Sequence, residues 1–200
     1  MNLRTVRKKT YAKIRKTAIQ RDIEGIQSDN DKIRAKSFSV LYPLSGSNPE
    51  KLYPYWHVFE EMLKCPSVTC KYYAIHILAN LVSVDKENKF EKIYDLWFND
   101  LLNHESPVVA PHIAEKSGKV VKAKPEIENE VTLKLLNAEK RSSCRHKELL
   151  KAYVLSAIDL YFNIISKKAD AISFIKAQLN SSSPTTKNKA RDMAMKYNIT

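Results

Sequence analysis

CKYYAIHIL (70–78) places a base behind a small apolar residue and follows it with apolar or small side chains at helical spacing. The same arrangement recurs in IRAKSFSVL (33–41), LKAYVLSAI (150–158) and TKNKARDMA (186–194). A weaker copy, APHIAEKSG (110–118), has Pro111 where the others have Arg34, Lys71, Lys151 and Lys187. The copies begin 37, 40, 40 and 36 residues apart. A period of that size accommodates two helices and a turn, the unit of an α-solenoid.

Signals on either side of each copy agree with such a unit. The stretches SDND (28–31), CPS (65–67), HESP (104–107), RSSCRH (141–146) and NSSSP (180–184) precede the copies. Ser, Asp and Asn accept from free N–H groups at a helix start, and Pro suits the first turn. A second amphipathic stretch follows each of the first four copies, at 49–64, 88–103, 125–140 and 169–179. In the second of these, Phe90, Ile93, Tyr94, Trp97, Phe98, Leu101 and Leu102 recur three and four apart, which makes one wide stripe to be buried. Pro43 is expected to end or bend the first helix, with SGSNP (45–49) as the turn after it.

The pattern resembles the HEAT and armadillo repeat families, through Asp31, Ile33 and Arg34 in the first unit and Pro66, Lys71, Ala74 and Leu78 in the second. The likeness spans roughly 29–200, with a degenerate third unit and a last unit reduced to one helix. It implies an all-α, right-handed α-solenoid of about four hairpins (29–65, 66–104, 106–141, 145–181), with first helices convex and second helices lining the concave side. Capping helices are expected at 1–26 and 184–199. The resemblance also implies that the repeated base pairs with acids of its own or the adjacent unit.

Composition narrows the functions. Three glycines in 200 residues (Gly25, Gly46, Gly118) cannot build a dinucleotide turn or a Walker phosphate loop. Three unevenly spaced cysteines (Cys65, Cys70, Cys144) suit reduced thiols in a cytoplasmic setting, and their spacing does not suggest a zinc cluster. Apolar runs such as AIHILANLV (74–82) are far shorter than a bilayer requires, so no membrane partner is expected. No metal, cofactor or catalytic set is expected either.

Charge is concentrated at the ends. Of a net +12, residues 1–21 carry eight bases and no acid, and 183–200 carry four bases and one acid. A cationic terminal helix neutralises phosphates or keeps a solenoid end soluble. Arg4, Arg7, Lys8, Lys9, Lys13, Arg15, Lys16 and Arg21 are the candidates for a nucleic acid. The second helices, expected to line the concave face, are close to neutral, which argues against a duplex there. Tyr53, Tyr55 and Trp56 are the candidate anchors for a protein partner if they are exposed.

The leading expectation is a non-catalytic scaffold that binds a protein along its second helices, through exposed members of 49–64 and 88–103. A factor touching nucleic-acid phosphates through 1–21 is the alternative. Third comes an alkylpurine DNA glycosylase, a HEAT-like enzyme family whose stacking Trp and nearby carboxylate would correspond here to Trp56 or Trp97 with Asp95 or Asp100. Trp97 sits on the apolar stripe, where core packing is the simpler role.

Overall fold

The computed structural model describes residues 16–200, and these are helices joined by short turns, with no strand among them. The candidates Arg4, Arg7, Lys8, Lys9, Lys13 and Arg15 lie outside the described residues. The short α1 (Ala18–Gly25) opens on a capping box: Thr17 Oγ1 accepts from Gln20 N–H, and the Gln20 side chain accepts from Thr17 N–H. Thr17 itself is extended, with ψ 163°, so within the range 1–26 expected to be helical the described helix starts only at Ala18.

Five longer helices begin where the cap signals stand. They are α2 (Asp31–Ser47), α5 (Val68–Leu81), α7 (Val109–Ala123), α10 (Lys147–Tyr161) and α12 (Pro184–Lys196). Their first residues are 37, 41, 38 and 37 apart. Asn30, Ser67 and Ser183 each accept from a first-turn N–H, and Ser106 accepts from Val108 and Val109. Between these helices lie α3 (Pro49–Leu52), α4 (Trp56–Lys64), α6 (Lys89–Asp95), α8 (Glu128–Leu136), α9 (Ala138–Arg141) and α11 (Lys168–Gln178).

Two local expectations need correction. Pro43 lies inside α2, which runs on to Ser47, so the turn shrinks to Asn48 with Pro49 at the first position of α3. The stretch 49–64 is not one helix either. Pro54 cannot donate a backbone hydrogen bond, and Tyr53–Tyr55 forms a 3-10 turn between α3 and α4. The next second helix is unusual too: α6 runs into a π-helical stretch, Leu96–Leu101. Its wider turn, with Leu102 N–H donating to Trp97 O at 3.1 Å, brings Trp97, Phe98, Leu101 and Leu102 inward together.

Packing follows chain order. α1 lies on α2, α2 on α5, α5 on α7, α7 on α10 and α10 on α12. Among the second helices, α4 packs on α5, the π-helical stretch on α7, and α8 on α11. Trp56, Phe59, Phe90, Trp97 and Phe98 are all fully buried between these layers. Each such side chain contributes about 1.5–3 kcal/mol by leaving water. Gly118 lets α7 approach the α10 backbone closely, because a Cβ there would lie 2.7 Å from Ala157 O.

Polar contacts between helices repeat the spacing of the chain. Ser45 and Asn80, His76 and His112, Asn88 and Lys124, Glu128 and Ser166, Glu148 and Thr186, and Asp159 and Tyr197 are hydrogen-bonded across 35, 36, 36, 38, 38 and 38 residues. Asp85 shows how one acid ties several elements. Its buried carboxylate accepts from Tyr53 Oη at 2.7 Å and from Lys89 and Phe90 N–H at the start of α6, with Lys124 Nζ at 3.6 Å. Burial alone would raise its pKa, but these donors outweigh it and hold the group below the usual carboxylate range.

Three of the four repeated bases, Arg34, Lys71 and Lys151, hold local structure, in more than one way. Arg34 bonds Ser28 O at 2.6 Å and pairs with Asp31, and Lys71 donates to Cys65 O, so both reach back six residues to close the preceding turn. Lys151 instead pairs with Glu148 and, at 3.5 Å, with Glu139.

Candidate binding groove

The two sets of helices differ in charge. The row α2, α5, α7, α10 and α12 carries thirteen bases and five acids, whereas α4, α6 with its π-helical extension, α8, α9 and α11 carry eight bases and nine acids. Among these helices the excess of positive charge therefore lies on the first helices.

Along this row α5 is the floor. α2 and α7 both pack on it, and its residues from Tyr73 to Val82 are all buried, His76 and Asn80 included. Near the C-terminal ends of the three helices a cleft of about 370 Å³ is lined by Ser45 and Gly46 from α2, Ala79, Asn80 and Ser83 from the floor side, and Lys119 and Lys122 from α7. Small side chains on α2 and α5 keep it open. Asn80 fixes its shape by donating to Ser45 Oγ at 2.8 Å while accepting from Lys119 Nζ. Neither Lys119 nor Lys122 has a carboxylate partner among the described residues, and Lys122 is exposed.

Toward the N-terminal ends the same groove carries aromatic rings. Phe38 and Tyr42 stack on α2 at 5.3 Å between centroids, and Tyr42 meets the His76 ring edge-on at 5.4 Å. Tyr72 lies 4.3 Å from His76 and 4.8 Å from His112, and His112 lies 5.1 Å from Tyr153 on α10. Four helices thus share one aromatic strip whose Phe38, Tyr42, Tyr72, His112 and Tyr153 are half-buried.

Its centre is a histidine pair. His76 Nε2 and His112 Nδ1 are 3.2 Å apart, and Glu115 Oε2 is 3.6 Å from the same His112 nitrogen. Whichever tautomer forms, Nδ1 of His76 is buried with no hydrogen-bond partner among the described residues. Burial pushes the His76 pKa down to about 3, helped by the positive charge of Lys116 beside it. Glu115 is pushed down to about 2 by the hydrogen bond from His112 and the ammonium of Lys116 at 3.0 Å. Lys119 falls below its ordinary value through burial and the neighbouring Lys116.

The anchors named from the sequence lie elsewhere. Trp56 is 1% exposed and belongs to the core, so it cannot anchor a partner. Tyr53 is half-buried, bonded to Asp85, and lies under Lys89 Nζ at 4.2 Å. Tyr55 is half-buried against the core. Lys16 pairs with Glu24, and Arg21 is exposed on α1. Trp97 is fully buried, with Nε1 donating to Ser117 Oγ at 3.1 Å, while Asp95 and Asp100 face solvent. His76 and His112 stand at similar positions of successive units in the sequence, 36 residues apart, and the structure brings them together.

No protein-family model, curated protein or solved structure matches this chain.

Proposed function

We propose that the chain is a non-catalytic binding scaffold: a right-handed α-solenoid of HEAT-like hairpins that engages a macromolecular partner along its row of first helices. The observation that carries this reading is the groove over α5, a floor of buried residues edged by half-buried rings and by Lys119 and Lys122, which have no carboxylate partner among the described residues. Support for the stacking comes from interhelical hydrogen bonds that recur one repeat length apart. Extended faces of this kind bind through many shallow contacts.

A protein partner on the second helices is the second reading, favoured by the partly exposed Tyr53 and Tyr55. Photo-crosslinking separates the two. A photoreactive residue at Ser83, in the groove, should trap a macromolecule from native extract, and one at Glu91, on α6, should not. Adducts from position 91 alone would move the working face to the second helices, and no adduct from either would remove the scaffold reading.

A further inference from the structure

Resting on the proposal that the first-helix row is the working face, we infer that the groove over α5 binds one strand of nucleic acid, with phosphates on Lys119 and Lys122 and bases toward Tyr42 and Tyr72.

Three observations carry this. The first is charge, because from α2 onward the first helices carry thirteen bases to five acids while the second helices named above carry eight to nine, and both lysines of the cleft lack carboxylate partners among the described residues. Lysines without acid partners neutralise phosphates and release their counterions. The second is width. Helices that pack directly lie about 8–10 Å apart, so α2 and α7, on either side of α5, have axes at most roughly 20 Å apart. Subtracting a helix diameter of ~10 Å leaves at most about 10 Å between α2 and α7 above the α5 floor, room for no more than one strand. It is too narrow for a duplex, whose major groove alone measures ~12 Å. The third is the interleaving of rings with bases, since Phe38, Tyr42, Tyr72 and His112 continue the line begun by Lys119 and Lys122, with Lys116 and Glu115 between. Aromatic side chains beside a cationic track are the elements of sequence-tolerant strand binding. An acidic polypeptide would match the charge equally well, but makes less use of the rings.

The test uses the full chain and a fluorescein-labelled oligothymidylate of about twelve nucleotides, within the usual footprint of such sites. Anisotropy titrations between roughly 50 and 200 mM salt should give a log–log slope near −0.7 per phosphate contact. Lys119→Gln with Lys122→Gln, which retains a donor for Asn80, should lower affinity at least tenfold and flatten the slope by about 1.4, two contacts' worth. Far-UV circular dichroism confirms that this variant is folded. Three outcomes overturn the inference while leaving the scaffold standing. They are unchanged binding in the variant with loss in Arg7→Glu/Lys8→Glu/Lys9→Glu, tighter binding of a duplex than of the strand, or lysine-dependent binding of polyglutamate and not of the oligonucleotide. No binding of either polyanion by the wild-type chain overturns it outright, and the crosslinking at Ser83 then decides separately whether the groove has any partner.

Discussion

His76 shows how much one side chain's surroundings determine. Lys116, Lys119, His112 and Glu115 face it, and burial holds its pKa at about 3, so the folded protein keeps it neutral. The unfolded chain protonates the same ring near the ordinary histidine value of about 6.5. Below that value the unfolded state binds the extra proton, so stability falls as pH drops from about 6.5 towards 3, by up to roughly 1.4 kcal/mol per unit. Glu115 contributes in a separate window, since its depressed pKa is felt only below the ordinary glutamate range. Urea midpoints measured between pH 7 and 5 should therefore decline on acidification, and His76→Gln should remove most of that slope, with the smaller remainder coming from His104, also lowered by burial. An unchanged slope in the variant would contradict this assignment. At this scale the sequence was legible in parts. The burial of Trp97 followed from its place between Tyr94 and Leu101, whereas that of Trp56 did not, because the 3-10 turn at Tyr53–Tyr55 rotates α4 relative to α3.

The helices were read most clearly where a cap and an apolar stripe coincide, as at Ser67 before α5 and Ser183 before α12. Reading was poorest at prolines and in the π-helical stretch. Pro43 sits in α2 with its ring directed to an exposed position, and no pattern of residue types announces the wider turn at Leu96–Leu101. Close packing of α7 on α10 depends on a residue with no side chain. Gly118→Ala would place a Cβ 2.7 Å from Ala157 O and 2.9 Å from Ala157 Cα, backbone atoms that cannot rotate away. The helix gains propensity from alanine, worth up to about 1 kcal/mol, but separating two packed helices costs about 1–3 kcal/mol. The variant should be less stable than wild type in thermal unfolding. Ala at Gly46, whose Cβ would meet only Asn80 Nδ2 at 3.7 Å, serves as the tolerated control.

For the whole molecule, the spacing of the first helices recurs in the contacts between them. Separations of 37 to 41 between the first residues of successive first helices reappear as hydrogen bonds across 35 to 38 residues. Charge summed over segments placed the basicity at the ends and left the second helices neutral, yet the basic character of the first-helix row came into view only once the helices were paired with their neighbours. Lys116, Lys119 and Lys122 are spread over two turns of α7, and nothing in their order reveals that Asn80 and Ser45 complete a cleft with them. In the proposed solenoid the helices stack in one direction and make that row continuous, and its length is directly measurable. Spin labels carried by non-natural residues at Lys36 on α2 and Arg191 on α12, both exposed, report the span by double electron–electron resonance. Four successive helix-to-helix steps of about 8–10 Å place the labels roughly 30–40 Å apart, whereas a single narrow distribution at or below about 20 Å would mean a closed bundle and no continuous groove.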